Sequence, residues 1–349
     1  MDTPDLDWWQ AALEDLCVSL RVAVRQAVLE ASQRGGLHDL GRSTREGAGD
    51  TTFVLDECAE LAVDRWFESV ARSRALSLLT EDSGWRHRGP DGRGAWRELS
   101  TFDHGGPRIA LDPIDGTRNA MADLRSAWSV VSCAGPGPDM PRLSQLVLGI
   151  VAEIPDSRAR CYRVLSARSQ GACQLVQREL DSEHTLFRRT LCVDDDSRPD
   201  HGYFPFFRYA PALRPALGAL ERGFFERLQV HEGADTSRCY DDQYICNAGQ
   251  LVLLALGTYR TIFDLRGTVS RALGLPQTTS KPYDVAGAIL CARRAGCIVE
   301  APPSRAGPTA LDFPLDCSTP VDFIGWVNPG TRARLLPHLA ATMGATGLH

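Results

Sequence analysis

Two aspartates three residues apart stand in the most distinctive stretch of this sequence, Asp112-Pro113-Ile114-Asp115-Gly116-Thr117. They follow an apolar run at 109–111, so they fall at the end of a predicted strand. Pro113 restricts the backbone between the two carboxylates, and Gly116 permits a turn after which backbone amides can face an anion. Carboxylate and carbonyl oxygens are the ligands that Mg²⁺ prefers. The pattern therefore predicts a magnesium site; the simpler interpretation is a solvated Pro-Gly turn.

Two further acids occur where they could join this pair. Glu81 follows the apolar run 75–79 just as Asp112 follows its own, and the acidic ends of two neighbouring strands would meet at one edge of a sheet. Asp284 stands at the start of a predicted helix whose first turn consists of small residues, which suits close packing against another backbone. The simpler interpretations are an exposed strand end for Glu81 and a helix N-cap for Asp284.

The elements that must position these acids are helices and short strands. Periodicity and composition predict helices at about 8–32, 56–71, 247–257 and 284–295. Apolar runs predict strands at 75–80, 108–111, 128–134, 146–153, 259–265 and 296–299, and a hairpin at 161–174. The Gly-, Ser- and Arg-rich stretch 34–52 is typical of a mobile loop, and 83–108 of a loop or hairpin. The region 176–240 matches no clear pattern.

The composition is that of an acidic globular chain of 349 residues with a net charge of -6. This charge argues against nucleic-acid binding through bulk electrostatics. No apolar run approaches the ~18 residues of a membrane span, and the acidic N-terminus is unlike a secretory signal. The 11 cysteines include no C-x-x-C pair, which favours reduced thiols in a cytoplasmic protein. Neither nucleic acid nor membrane is therefore expected as a partner.

Four motifs together resemble the inositol monophosphatase superfamily of Mg²⁺-dependent, lithium-sensitive phosphatases, which includes proteins similar to fructose-1,6-bisphosphatase. Asp112–Asn119 is similar to the signature D-P-[IL]-D-G-T-x-N, and Tyr283–Gly287 to [WY]-D-x-A-[AG]. Leu79–Gly84 resembles the acidic motif at a strand end, and Asp56-x-x-x-Glu60 the start of the second helix. The motifs occur in the family's order, and the resemblance covers roughly residues 10–305.

The resemblance implies an α/β (α+β) fold, a layered αβαβα sandwich of the sugar-phosphatase type. The chain, 1–349, would form a single phosphatase domain. Its N-terminal half, 1–190, would carry the metal motifs. Its C-terminal half, 191–349, would carry the second aspartate motif and the wall that contacts the substrate. The resemblance also implies a homodimer.

The resemblance further implies two to three Mg²⁺ ions per site. One ion would bind Glu81, Asp112 and the carbonyl of Ile114, and a second Asp112, Asp115 and Asp284. A weaker third ion would lie near Glu81. Four carboxylates gathered in one cleft would repel one another strongly, so cations would be needed to hold them together.

The catalytic roles implied by the resemblance fall on Thr117 and Asp56, which would orient and help deprotonate the attacking water. The amides of Gly116 and Thr117 would bind the phosphate. Asp264 and Arg266, in Asp264-Leu265-Arg266-Gly267, are the candidates for contacting the organic part of the substrate. A strand end with a surface arginine is the simpler interpretation of that segment.

Several positions depart from the family pattern. Ile245-Cys246-Asn247-Ala248 lacks the expected glycine and serine, and Ala120 replaces an aromatic residue. The aromatic residues at 203–209 would line a substrate pocket or a dimer interface, or simply belong to the core. The loop Arg42–Arg45 would close over a phosphate, or be solvated.

The function that these residues predict is Mg²⁺-dependent hydrolysis of a small phosphate monoester, either an inositol phosphate or a sugar phosphate. One alternative is a nucleotide 3′-phosphatase of the 3′-phosphoadenosine 5′-phosphate type. The other is a non-catalytic relative that binds a phosphorylated ligand, and the retention of every metal-ligand position argues against it. The partner of the protein would be a small-molecule phosphate ester.

Overall fold

The computed structural model describes residues 1–34, 36, 40–46, 51–81, 83–277, 279–304 and 310–348, with the backbone alone at 4, 43–46, 51 and 52. Its helices are α1 Thr3–Gln33, α2 Val54–Ala71, α3 Thr117–Met121, α4 Arg214–Glu232, α5 Asn247–Ala255, α6 Arg266–Leu273, α7 Pro282–Ala295 and α8 Pro329–Thr346. Within the described residues, no helix is long and apolar enough to cross a membrane.

The strands follow the expected positions in the first half and extend beyond them. They are β1 Ser43–Glu46, β2 Thr51–Phe53, β3 Leu76–Thr80, β4 Gly84–Pro90, β5 Trp96–Glu98, β6 Arg108–Asp115, β7 Ala127–Ala134, β8 Leu146–Ile154, β9 Cys161–Arg168, β10 Gln174–Glu179, β11 Thr185–Thr190, β12 Gly202–Tyr203, β13 Cys239–Tyr240, β14 Thr261–Asp264, β15 Ile298–Glu300 and β16 Phe323–Trp326. All but the last residue of the antiparallel pair of β1 and β2 falls in the stretch 34–52 that was expected to be a loop.

Nine strands form one large sheet in the order β11-β10-β9-β8-β7-β6-β3-β4-β5. Only β3 and β6 are parallel neighbours in it, and the other pairs are antiparallel. A smaller antiparallel sheet has the order β14-β16-β15. The two runs that lead to Glu81 and Asp112 are therefore adjacent strands of the large sheet, as the sequence predicted.

The helices and the two sheets form five layers around three cores. One core joins α1 and α2 to the large sheet. A second lies between the other face of that sheet and α5, α7 and the small sheet. The third joins the far face of the small sheet to α4 and α8. The order αβαβα confirms the predicted fold class.

Close packing of α7 against the large sheet depends on glycines. A Cβ atom on Gly287 would lie 2.2 Å from the carbonyl oxygen of Val131, and one on Gly149 would lie 2.5 Å from that of Gly287. The amide of Gly287 also donates to Ser132 Oγ at 2.7 Å. The small residues after Asp284 thus let this helix approach β7 and β8 closely, and that approach fixes the position of Asp284.

Candidate active site

The backbone of β6 turns both aspartates of the central motif toward one cleft. Asp112 pairs with Val130 of β7 and Asp115 with Trp128, so three steps on β6 oppose two on its neighbour. Such a bulge bends a strand and redirects its side chains. Gly116 follows with φ 92°, in the left-handed region where glycine avoids the strain of a side chain. The chain can therefore leave the sheet abruptly and begin α3 at Thr117.

Two other elements bring the remaining acids to the same place. Leu79 of β3 is level with Ala110 of β6, so the same register continued by two residues sets Glu81 beside Asp112. Asp284 lies in the first turn of α7, where its carboxylate accepts a hydrogen bond from the backbone amide of Lys281 at 2.8 Å. All of these acids line one cleft of about 140 Å³.

The electrostatics of the cleft are those of crowded carboxylates. Burial raises the pKa of Asp112 well above its usual value, and the nearby charges of Asp284, Asp115 and Glu81 raise it further. Burial also raises the pKa of Asp115, although hydrogen bonds from the first turn of α5 oppose this shift. A cation among these groups would relieve the repulsion.

Asp115 is held by the N-terminal end of α5. Its Oδ2 accepts from the amide of Ala248 at 2.5 Å and from Cys246 Sγ at 3.1 Å, and its Oδ1 lies 3.2 Å from the amide of Asn247. The roles of Cys246 and Asn247 were not predicted. The sequence feature that could have indicated these roles is the predicted helix start at 247, where the glycine and serine of the resembled family are absent.

Thr117 and Asp56 lie within hydrogen-bond distance, as the resemblance implied. Thr117 Oγ1 is 3.0 Å from Asp56 Oδ1 and 2.9 Å from the carbonyl oxygen of Ile114, so its one proton can serve either acceptor. The other oxygen of Asp56 accepts from the amide of Phe53 at 2.8 Å. The threonine hydroxyl is therefore fixed at the edge of the acidic cleft.

The chemistry of this donor set fits a hard divalent cation. Glu81, Asp112, Asp115 and Asp284 offer only oxygen, and Ile114, whose carbonyl accepts from Thr117 Oγ1, lines the same cleft. In the described part of the chain, however, no three or more His, Cys, Asp and Glu side chains form a closed metal site. Like charges in one cleft repel one another, so a bound cation would be needed to bring these carboxylates closer together.

Of the two residues predicted to contact the organic part of the substrate, Asp264 and Arg266, only one lines the cleft. Arg266 lines it, whereas Asp264 is 1% exposed and lies beneath the arginine. Asp264 accepts from Arg266 Nε at 2.8 Å, from Arg266 Nη2 at 2.7 Å and from Ser280 Oγ at 2.9 Å. The Asp264 carboxylate therefore fixes the position of Arg266 and is not placed to bind substrate hydroxyls. The guanidinium also lies 4.4 Å from the ring centre of Phe207.

The aromatic residues at 203–209, which were also expected near the substrate, belong partly to the core and partly to the cleft. Phe204 and Phe206 are buried in the core, and Phe207 and Tyr209 line the cleft. In the loop Arg42–Arg45, the side chains at 43–45 lie outside the described residues.

The fold is that of the inositol monophosphatases and fructose-1,6-bisphosphatases. The chain aligns over 98% of its length with 95% of fructose-1,6-bisphosphatase from Leishmania major, at a TM-score of 0.65 and 12% identity. It aligns over 95% of its length with 97% of the extragenic suppressor protein SuhB from Bartonella henselae, at a TM-score of 0.60 and 16% identity. It also aligns with inositol monophosphatase-II from Staphylococcus aureus over 97% of each chain, at a TM-score of 0.56 and 15% identity. No family model and no curated protein sequence matches the chain.

Proposed function

We propose that this protein is a Mg²⁺-dependent phosphatase that hydrolyses a small phosphate monoester. The observation that carries the proposal is the meeting of Glu81, Asp112, Asp115 and Asp284 in one cleft beside the Thr117–Asp56 pair. Proteins of the same fold are named as phosphatases. The substrate that we propose is an inositol phosphate or a sugar phosphate. The alternative of a non-catalytic relative that only binds a phosphorylated ligand is disfavoured, because every acid of the site is retained.

The residues of this chain would divide the work as follows. Glu81, Asp112 and the Ile114 carbonyl would hold one Mg²⁺, and Asp112, Asp115 and Asp284 another, and a weaker third ion would lie near Glu81. When bound, these ions would neutralise the phosphate and lower the pKa of water.

Thr117 would orient the attacking water, since its hydroxyl is fixed between Asp56 and the Ile114 carbonyl. Asp56 would accept the proton that passes through that hydroxyl. The amides of Gly116 and Thr117 would donate hydrogen bonds to phosphate oxygens, because the left-handed glycine turns the backbone at the cleft.

A nucleotide substrate is the second candidate, and the aromatic rings of the cleft favour it. Phe53, Phe207 and Tyr209 line the same cleft as the acids, and flat rings suit stacking with a base. One structure of SaIMPase-II holds 2′AMP, and another holds inositol monophosphate. A substrate panel separates the two candidates.

The proposal also includes a homodimer in the cytoplasm. The dimer rests on the resemblance to the family, and the location is supported by the 11 cysteines, all of which are free thiols. Light scattering of the purified protein measures its mass, and a monomer at micromolar concentration would contradict the dimer.

A phosphatase assay at fixed free Mg²⁺ tests the function. Inositol, fructose and adenosine phosphates would be compared before and after chelation. Asp112→Asn should lower kcat/KM by more than the roughly 10- to 100-fold that is typical of an outer-shell partner, because both proposed ions use this residue. Asp181→Asn, on the exposed turn between β10 and β11, is the matched control. Full activity in excess EDTA, or in the Asp112 variant, would refute the proposal.

A further inference from the structure

An arginine at the mouth of the cleft is held between two aromatic rings. The Cζ atom of Arg118 lies 5.6 Å from the ring centre of Phe53 and 5.5 Å from that of Tyr209. All three side chains line the cleft, yet they come from β2, from α3 and from the chain before α4. Both distances are within the range of about 6 Å in which a guanidinium interacts with an aromatic ring.

The rings restrict this arginine without satisfying its hydrogen-bonding groups. A guanidinium that faces aromatic rings keeps its N–H groups in its own plane, where they can bind an anion through two parallel hydrogen bonds. Arg118 is exposed, so these groups are accessible to a ligand. The rings thereby limit the conformations of a long side chain, which lowers the entropic cost of binding.

Its charge is also not balanced by an acid. Among the side chains that the structure describes, Arg118 forms no ion pair, whereas the other cleft arginine, Arg266, is paired with Asp264 at 2.7 Å. Three of the five acids that line the cleft, Asp112, Asp115 and Asp284, are buried at 9% exposure or less. Arg118 is therefore an exposed cation without an ion-pair partner among the described side chains, and it directly follows Gly116 and Thr117, whose amides are proposed to bind the phosphate.

We propose that Arg118 binds a second anionic group on the substrate, and so selects phosphate esters that carry another phosphate or a carboxylate. This inference rests on the proposed phosphatase function and adds a specificity-determining residue to it. Phe53 and Tyr209 position the guanidinium for this contact. A second anion would compensate the charge of Arg118, which pairs with no carboxylate among the described side chains.

Matched pairs of substrates test the idea, because each pair differs only by the second anion. The pairs are inositol 1-phosphate with inositol 1,4-bisphosphate, adenosine 3′-phosphate with adenosine 3′,5′-bisphosphate, and glycerol 2-phosphate with 2-phosphoglycerate. Free Mg²⁺ is held constant, since bisphosphates bind the ion. For at least one pair, kcat/KM of the wild-type protein should favour the doubly anionic member by roughly 10- to 100-fold, the usual worth of a charged hydrogen bond. The favoured pair identifies the source of the second anion.

Arg118→Met should reduce this preference to nearly one, and should change kcat/KM for the singly anionic member by at most a few-fold. Arg118→Lys should keep part of the preference because it keeps the charge but not the planar fork. Arg222→Met is the control, since Arg222 is 75% exposed on α4 and lies outside the cleft. Thermal unfolding of each variant monitors the fold.

Two results would overturn the inference while leaving the phosphatase function in place. One is a wild-type enzyme that hydrolyses the singly anionic members and shows no preference in any pair. The other is an equal loss for both members in Arg118→Met, since the arginine would then contact the phosphate that is removed. Absence of hydrolysis for every substrate would instead refute the proposed function itself.

Discussion

Removing the carboxylate of Asp264 should destabilise the whole fold rather than only weaken substrate binding. Asp264 and Arg266 are 1% and 4% exposed, and two hydrogen bonds join their side chains. Burial disfavours the charged form of Arg266, and the adjacent Asp264 carboxylate raises the pKa of that arginine. Asp264→Ala would leave a buried cation without its counter-ion. Loss of one member of a buried pair costs about 3–5 kcal/mol.

Urea unfolding followed by circular dichroism measures this cost. With a slope of about 3 kcal/mol per molar urea, the midpoint should fall by roughly 1 to 1.7 M. The double variant Asp264→Leu with Arg266→Met removes both charges, and it should recover much of the loss because no uncompensated ion remains. Glu226→Ala breaks the exposed Arg222–Glu226 pair instead, and it should change stability by no more than about 1 kcal/mol.

The opposite outcome is equally clear. If Asp264→Ala unfolds at the wild-type urea concentration and raises KM for polyol phosphates, then the carboxylate binds substrate hydroxyls and the account of a supporting residue is refuted. A double variant as unstable as Asp264→Ala alone would also contradict the reasoning, since the cost would then not come from the unpaired arginine.

Three further predictions concern the nucleophile, the packing of α7 and pH. Thr117→Ala should lower kcat by roughly 10²- to 10⁴-fold with little change in Mg²⁺ affinity, and an unchanged kcat would exclude the relay to Asp56. Gly287→Ala should lower stability by about 1–3 kcal/mol and reduce activity by moving Asp284, whereas Gly218→Ala, which meets no atom within 4 Å, should do neither. Burial lowers the pKa of His104 below 6.5, so the contribution of the neutral ring to stability is full above pH 6.5 and is lost as the pH falls toward the folded-state pKa. His104→Asn removes this titration and should therefore flatten the pH dependence of urea unfolding. A variant with the same pH profile as the wild-type protein would contradict this.

The tautomer at His104 gives that last prediction a structural basis. His104 Nδ1 accepts from the amide of Gly106 at 3.1 Å, so in the neutral ring Nε2 carries the proton and faces Ser77 Oγ at 2.6 Å. Ser77 can then donate to His87 Nδ1 at 2.7 Å. Protonation of His104 would place a hydrogen on Nδ1, facing the amide of Gly106. In the His104→Asn variant, the new side-chain carbonyl could still accept from that amide, so the substitution removes the titration and keeps one of the contacts.

Local sequence was sufficient to predict the acids of the site. Asp112, Asp115 and Thr117 lie within six residues, and the strand before Glu81 is apolar apart from Ser77 and Thr80, so the pattern indicated both the elements and the end of the sheet at which they meet. The small residues after Asp284 likewise predicted the close approach of α7 to the sheet, which Gly287 confirms. Each of these inferences depends on neighbours in the chain.

The features that sequence did not reveal depend on distant contacts. Phe53, Arg118 and Tyr209 meet although the first and last are 156 residues apart, and no periodicity connects them. Asp264 was expected to contact the substrate because of the family resemblance, but helix α6 begins at Arg266 and turns that side chain back over it. Strand β16 and helix α8 were not predicted, although each completes a core.

The charges of the cleft explain why metal should govern binding as well as chemistry. Five acids line it, at Asp56, Glu81, Asp112, Asp115 and Asp284. Arg266 does not offset them, because its charge is already matched by Asp264. A phosphate dianion approaching these acids alone would be repelled, since burial strengthens interactions between like charges. Two divalent ions would supply four positive charges and, with Arg118 and Lys281 also lining the cleft, would make it attractive to anions. Substrate affinity should therefore rise with Mg²⁺ concentration, and equilibrium dialysis of inorganic phosphate with and without Mg²⁺ measures this; equal phosphate binding in both conditions would contradict the argument.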